Sequence, residues 1–174
     1  MAVLPTSPTT LERPPGAPGT QAVAPAEGHG AIQRVMLATD LTRASSLATE
    51  RAIELAAGLR AELLVVNVIG PDSMRRDHGD PRVDQVRADR ERAMTGVVEL
   101  GRRRGVGTTF LIWTGDPADS LVEAADAERA DLIVIGSRGR GGATRAVLGS
   151  VSDHVVRHAG CPVLVVREGS IRPD

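Results

Sequence analysis

Aromatic side chains are nearly absent from this chain of 174 residues, which has no Tyr, one Phe and one Trp, at Phe110 and Trp113. Stacking platforms for bases and aromatic boxes for sugars or methylated amines need several such rings, so both are disfavoured. A single cysteine, Cys161, excludes an intramolecular disulfide framework and a multi-cysteine zinc site. No apolar run is long enough to cross a bilayer as a helix. Charge of one sign is missing as well. With 21 Lys and Arg against 22 Asp and Glu the formal charge is -1, and bulk attraction to nucleic acid or to an anionic membrane is not encoded. No partner of either kind is expected, and the expected setting is soluble and cytoplasmic. The length suits one domain, whose core has to be built from Val, Leu, Ile and Ala.

Residues 1–30 are different material. They hold six of the eleven prolines (Pro5, Pro8, Pro14, Pro15, Pro18 and Pro25), interspersed with Gly16, Gly19, Gly28 and Gly30, and no sustained apolar period. Such a segment cannot offset its ordering entropy by burial, so a disordered tail is expected. It lacks the basic start and continuous apolar stretch of a secretory signal, and its prolines oppose the amphipathic helix of a transit peptide.

From Gln33 onward short apolar runs alternate with helical patterns. The runs are Val35–Ala38, Leu63–Ile69, Thr108–Trp113, Leu132–Ile135 and Val163–Val166, each nearly continuous, as in parallel strands buried on both faces. Between them lie helical patterns over Ser45–Leu59, Val83–Arg104, Ala118–Arg129 and Gly149–Ala159. The second carries a stripe of Val83, Val86, Arg90, Ala93, Met94, Val97 and Leu100, apolar but for one charged interruption. The third opens with Asp116 as N-cap and Pro117 at the first helical position. Gly58 and Gly160 suit helix exits. The alternation describes an α/β protein, an open sheet of five parallel strands layered by helices, with no room for a second domain. The polar stretch GPDSMRRDHGDP, residues 70–81, is an excursion between the second strand and the long helix, readable as a lid or as a plain loop.

In such a sheet a ligand sits beyond the carboxyl ends of the strands, near a reversal of strand order. Two loops reach that edge. The first reads ATDLTRAS, residues 38–45, and brings out the carboxylate of Asp40, which suits a ribose hydroxyl or a hydrated cation; Asp40, Thr42 or Ser45 equally suits capping of the next helix. The second reads GSRGRGGATRAVLGS, residues 136–150, with Gly136, Gly139, Gly141, Gly142 and Gly149. Glycines let backbone amides approach an anion, and Gly149-Ser150 opens a helix whose first amides point outward at partial positive potential. Arg138, Arg140 and Arg145 add positive charge with no acidic residue among them. Phosphate cradle and flexible connection with solvated arginines are both open readings.

Other chemistries find less support. GxxxxGK[ST] is absent, the first βα loop has no GxGxxG, and GxSxG is missing, which disfavours a P-loop ATPase, a dinucleotide dehydrogenase and a serine hydrolase. His154 and His158 share a helical face in HVVRH, but without the glutamate of HExxH or an evident third ligand no metal site is expected. Cys161 has no nearby CxxC partner and reads as a small structural thiol; Trp113 reads as packing rather than a base platform.

The order of elements and the last loop resemble the universal stress protein family over about residues 32–167. The most specific element is G-x2-G-x9-G-[S/T], met by Gly136, Gly139, Gly149 and Ser150; VMLATDLTRAS and LLVVNVIG match the family's first two strands. The resemblance implies a three-layer, Rossmann-like fold of the adenine nucleotide alpha hydrolase type, with strand order 3-2-1-4-5, over residues 31–168, leaving 169–174 as a C-terminal tail. It further implies ATP as ligand, with Mg2+ bound through the phosphates. By position, Asp40 and the backbone at Gly136 would meet the ribose, and Val68 would lie by adenine. Gly139, Arg140, Gly149, Ser150 and Val151 would serve the phosphates. The chain departs from many members at Ala38, where they have Pro, and at Asn67, where they have His.

The implied role is an ATP-binding regulatory module in stress response, with homodimerisation through the C-terminal edge strand, which also suits an unpaired strand edge. No catalytic residue is expected, because no general base for water is evident. The alternatives are a nucleotide-independent dimeric scaffold and a slow ATP hydrolase. An adenylate-forming enzyme is disfavoured by the absence of SGGxDS.

Overall fold

A computed structural model describes residues 31–70, 81–137 and 148–167. The expected tails at 1–30 and 169–174, most of the 70–81 excursion and residues 138–147 of the Gly-rich loop lie outside the described residues.

Five strands, β1 (Arg34–Ala38), β2 (Glu62–Ile69), β3 (Thr108–Thr114), β4 (Leu132–Gly136) and β5 (Val163–Val166), form one sheet in the order β3-β2-β1-β4-β5. Every adjacent pair is parallel. The architecture expected from the alternating runs and from the family resemblance is therefore the one observed. Burial follows position in the sheet. The central strands β1, β2 and β4 are buried almost throughout, whereas the edge strand β5 is half-exposed.

Alternation of side chains across each strand divides the core into two layers. Val35, Leu37, Leu63, Val65 and Val134 face α1 (Ser46–Leu59) and α2 (Pro81–Arg103), packing on Ala52, Ile53, Ala56 and Met94. Met36, Leu64, Val66, Ile133 and Ile135 face α3 (Pro117–Ala127) and α4 (Ser150–His158), packing on Leu121, Ala124, Ala125 and Val155. Alanine at the helix contacts lets the backbones approach the sheet closely, which suits a core with almost no aromatic volume.

Helix ends follow local chemistry. Asp116 caps α3, its Oδ1 accepting from the amides of Ala118 at 2.9 Å and Asp119 at 3.3 Å. At the end of α1 the exit lies two residues beyond Gly58. Arg60 takes the left-handed conformation (φ 56°), and Ala61 N–H donates to Ala56 at 2.9 Å, while Gly58 stays inside the helix. Likewise α3 ends at Ala127, short of Arg129, which adopts φ 53°.

Candidate functional site

The reversal of strand order falls between β1 and β4, which lie side by side although two strands and three α-helices separate them in sequence. Parallel register carries three of the expected residues to this edge. Ala38 pairs with Val66 on one side and Ile135 on the other, so the chain leaving β1 at Thr39 and Asp40 runs beside Val68 of β2 and Gly136 of β4. Neighbouring strands are about 4.8 Å apart, so these positions converge on one patch.

The β1–α1 connection is a built turn. Oδ1 of Asp40 accepts from Thr42 N–H at 3.0 Å and from the Thr42 hydroxyl at 2.7 Å. Its other oxygen, Oδ2, is buried and has no hydrogen-bond partner among the described residues. A buried acceptor left unmatched is costly and uncommon in native proteins, so a hydroxyl donor supplied by a ligand would relieve it. Local turn-making thus engages one oxygen of the carboxylate and not the other. Between them the backbone is strained, because Leu41 is a non-glycine residue at φ 62°.

On the other side of the reversal, Gly136 ends β4 and Ser137 continues beside β5, its N–H donating to Val166 at 2.8 Å. The chain returns at Gly149, whose N–H donates to Ser137 O at 2.8 Å. Ser152 Oγ reinforces this closure, donating to Gly149 O at 2.9 Å. Gly149 is the N-cap of α4 and supplies no side-chain cap. The first helical bond runs from Asp153 N–H to Gly149 O at 2.9 Å, so the amides of Ser150, Val151 and Ser152 precede the hydrogen-bonded ladder. Ser150 is exposed, while Val151 packs on the inner layer of α3 and α4. This is an anion-receptive helix start tied to the carboxyl end of β4.

Of the expected residues, Asp40, Val68, Gly136, Gly149, Ser150 and Val151 thus occupy the carboxyl edge around the strand-order reversal. Gly139 and Arg140, with Arg138 and Arg145, lie outside the described residues. His154 and His158 are elsewhere engaged: His154 Nε2 lies 3.0 Å from Asp119 Oδ1, and the two rings stack with centroids 4.1 Å apart. Cys161, half-buried at the entry to β5, has its thiol pushed above the usual value of 9.0 by burial and then by Asp126 and Asp131.

Sequence reading missed two polar residues beneath the site. Arg90, read as an interruption of an apolar stripe, is 9% exposed and donates to Asn67 Oδ1 at 2.8 Å; Asn67 in turn donates to Thr39 O at 2.7 Å. The available signal was a charged residue on the buried face of α2. Trp113 lies in register with Val68 and packs on the same layer, with its Nε1 buried and without a hydrogen-bond partner among the described residues.

Comparison with known proteins agrees with this architecture. The universal stress protein family model matches residues 31–167. A universal stress protein of Methanocaldococcus jannaschii is 30% identical over 145 residues, which cover 81% of this chain and 85% of that protein. Among solved structures, a universal stress protein in complex with cAMP is 28% identical with a TM-score of 0.62, covering 79% of this chain and 98% of that one. A universal stress protein family member from Burkholderia pseudomallei is 30% identical with a TM-score of 0.63, covering 80% of this chain and 98% of its own. The sheet order, the glycine-bearing edge and the extent of these matches lead to one assignment: the chain belongs to the universal stress protein family.

Proposed function

We propose that this protein binds ATP at the carboxyl edge of its sheet and acts as a nucleotide-dependent regulatory module in stress response. The observation that carries the proposal is the buried, unmatched Oδ2 of Asp40 at the strand-order reversal, across from the unladdered amides that open α4. In this reading Asp40 accepts from a ribose hydroxyl and the backbone at Gly136 borders the sugar. Val68 lies against adenine, with its peptide group reading the ring edge. Gly139, Arg140, Gly149, Ser150 and Val151 receive the phosphates, and Mg2+ is bound through phosphate oxygens. Support also comes from the relative solved in complex with cAMP, which places an adenine nucleotide on a protein of this family.

The residues favour holding over hydrolysis. Amides at a helix start stabilise ground-state charge, and Asp153, the carboxylate in the first turn of α4, is engaged by Arg157 at 3.0 Å and 3.2 Å. A homodimer formed along β5 belongs to the same proposal. That strand lies at the sheet's end, with Leu164 exposed. The dimeric edge equally serves a scaffold that needs no nucleotide, and nucleotide titration separates the two.

The test is calorimetric titration of the nucleotide-stripped protein with ATP and Mg2+, repeated with AMP and with a Gly149→Ala, Ser150→Ala variant whose circular dichroism is native. The expected result is micromolar ATP binding that the variant weakens by about tenfold or more. Absence of binding by the parent protein would overturn the proposal in favour of the scaffold.

A further inference from the structure

The turn that presents Asp40 is held from inside the protein, by residues of two other elements. Arg90 projects from α2 into the interior and donates to Asn67 Oδ1 at 2.8 Å. A guanidinium has donors only, so this contact fixes which end of the Asn67 amide faces it. The amide nitrogen must then face the other way, and it donates to Thr39 O at 2.7 Å. Asn67 is 1% exposed, so neither of its polar atoms has water as an alternative.

Thr39 is the hub. Its N–H donates to Val66 O at 3.0 Å, continuing the sheet ladder one residue past β1. Its Oγ1 accepts from Leu41 N–H at 3.1 Å, the amide of the residue held at φ 62°. Ser45 Oγ donates its one proton to Thr42 O at 2.8 Å, so in the 3.0 Å contact between the two hydroxyls Thr39 is the donor. Thr42 then donates twice to Asp40 Oδ1. A continuous series of directed bonds therefore runs from Arg90 through Asn67, Thr39, Ser45 and Thr42 to the carboxylate whose second oxygen is unmatched. A strained residue persists only where its surroundings over-determine it, and these bonds converge on the turn that holds Leu41.

We propose that Arg90 and Asn67 are positioning residues for Asp40: a buried strut that fixes the β1–α1 turn and aims its free carboxylate oxygen. They act through Thr39. The consequence for ribose recognition rests on the nucleotide reading above, whereas the consequence for the turn does not. Most of the strut lies on the α1 and α2 face of the sheet, with Asn67 in line with Leu63 and Val65, while Val68 faces the opposite layer. The strut thereby couples α2 to a site built mainly from the other elements.

The test compares the parent with Asn67→Asp, which preserves size and the acceptor for Arg90 but replaces the donor to Thr39 with a second acceptor. Without nucleotide, hydrogen exchange at the amides of Leu41, Thr42 and Ser45 is expected to be about threefold to tenfold faster in the variant, with the centre of α1 unchanged. With nucleotide, the parent is expected to bind ATP about tenfold or more tightly than 2′,3′-dideoxy-ATP. In the variant that ratio falls toward one while dideoxy-ATP affinity is retained, a split that general loss of structure would not produce. Unchanged exchange in the turn overturns the strut. An unchanged ratio in a variant of a discriminating parent overturns its role in recognition. A parent that does not discriminate, with exchange still accelerated in the variant, refutes the ribose assignment and leaves the strut standing. Should Asn67→Asp fail to fold, an Asn67→Leu, Arg90→Leu variant removes both polar partners together and is read in the same two ways.

Discussion

Replacing Asp40 with Asn separates the two oxygens of one carboxylate. The amide is nearly isosteric, and its carbonyl oxygen takes the place of Oδ1, accepting from Thr42 N–H and Oγ1, which stand at 3.0 Å and 2.7 Å in the parent. Its NH2 group takes the place of Oδ2, which is buried and unmatched. Two terms decide the folded-state balance. Removing an ionised oxygen without a partner relieves a penalty of about 1 to 3 kcal/mol, and the neutral amide that replaces it retains part of that penalty. Weakening two charge-assisted bonds from Thr42 costs about 1 kcal/mol. With the retained part subtracted, the expected net effect lies within about 1 kcal/mol of zero, a change in Tm of no more than roughly 3 °C for a domain of this size. Nucleotide binding moves the other way. A hydroxyl-to-carboxylate bond is worth about 1.5 to 3 kcal/mol, so ATP affinity should fall by about tenfold to a hundredfold. The assays are thermal denaturation of the nucleotide-free protein and calorimetric titration with ATP and Mg2+. A drop in Tm of more than about 5 °C would mean that the carboxylate serves chiefly to hold the turn. Unchanged affinity would refute its contact with the ligand.

Gly101 of α2 abuts β3 so closely that a Cβ there would overlap Oγ1 of Thr108 and stand 3.1 Å from its Cβ. Thr108 is buried and its hydroxyl donates to Val106 O at 3.1 Å, so it cannot rotate away without losing that bond. Gly101→Ala should destabilise by about 2 to 3 kcal/mol, with urea unfolding as the measure, and Thr108→Ala in the same chain should recover at least about 1 kcal/mol relative to additivity; strict additivity would refute the clash. For Cys161, raised by burial above 9.0, the native thiol should alkylate with a rate–pH midpoint above that of the urea-unfolded chain. The linkage has a definite sign. The folded state disfavours the thiolate, so this group's contribution is intact below the unfolded-state pKa and is lost as pH rises through the folded one. A native midpoint at or below the unfolded one would refute the burial argument.

Fold was legible because it is written in short-range pattern. Continuous apolar runs such as LLVV in β2 and LIVI in β4 require burial on both faces, which a parallel sheet covered by helices provides. Caps were legible where one side chain suffices, as at Asp116. They were not where geometry decides among neighbours: α1 passes through Gly58 and ends with Arg60 at φ 56°, since a glycine permits the left-handed turn without requiring it. The glycine pattern marked Gly149 and Ser150, and the structure adds how the helix start is tied to Ser137 and hence to β4.

The support beneath Asp40 was not legible for a different reason. Its bonds join residues 23 and 28 positions apart, Arg90 with Asn67 and Asn67 with Thr39, and no spacing rule relates them. Each looks unfavourable alone: an arginine on the inner face of a helix, and an asparagine within a strand whose other inward residues are aliphatic. Burial makes them intelligible together, because Asn67 Oδ1 accepts from Arg90 while the amide nitrogen of Asn67 donates to Thr39 O. Polar residues that break an apolar pattern at the carboxyl end of a parallel strand therefore point to whatever that end must hold still. Here that is a turn containing a leucine at φ 62° and a carboxylate with one oxygen unspent. An apolar exchange of the pair could preserve the fold, which the two core layers already secure, yet it would release Thr39 O and with it the geometry of Asp40. Neighbouring positions of β2 thus hold one residue in two ways: Val66 closes the ladder to Thr39 N, and Asn67 restrains the carbonyl of the same residue.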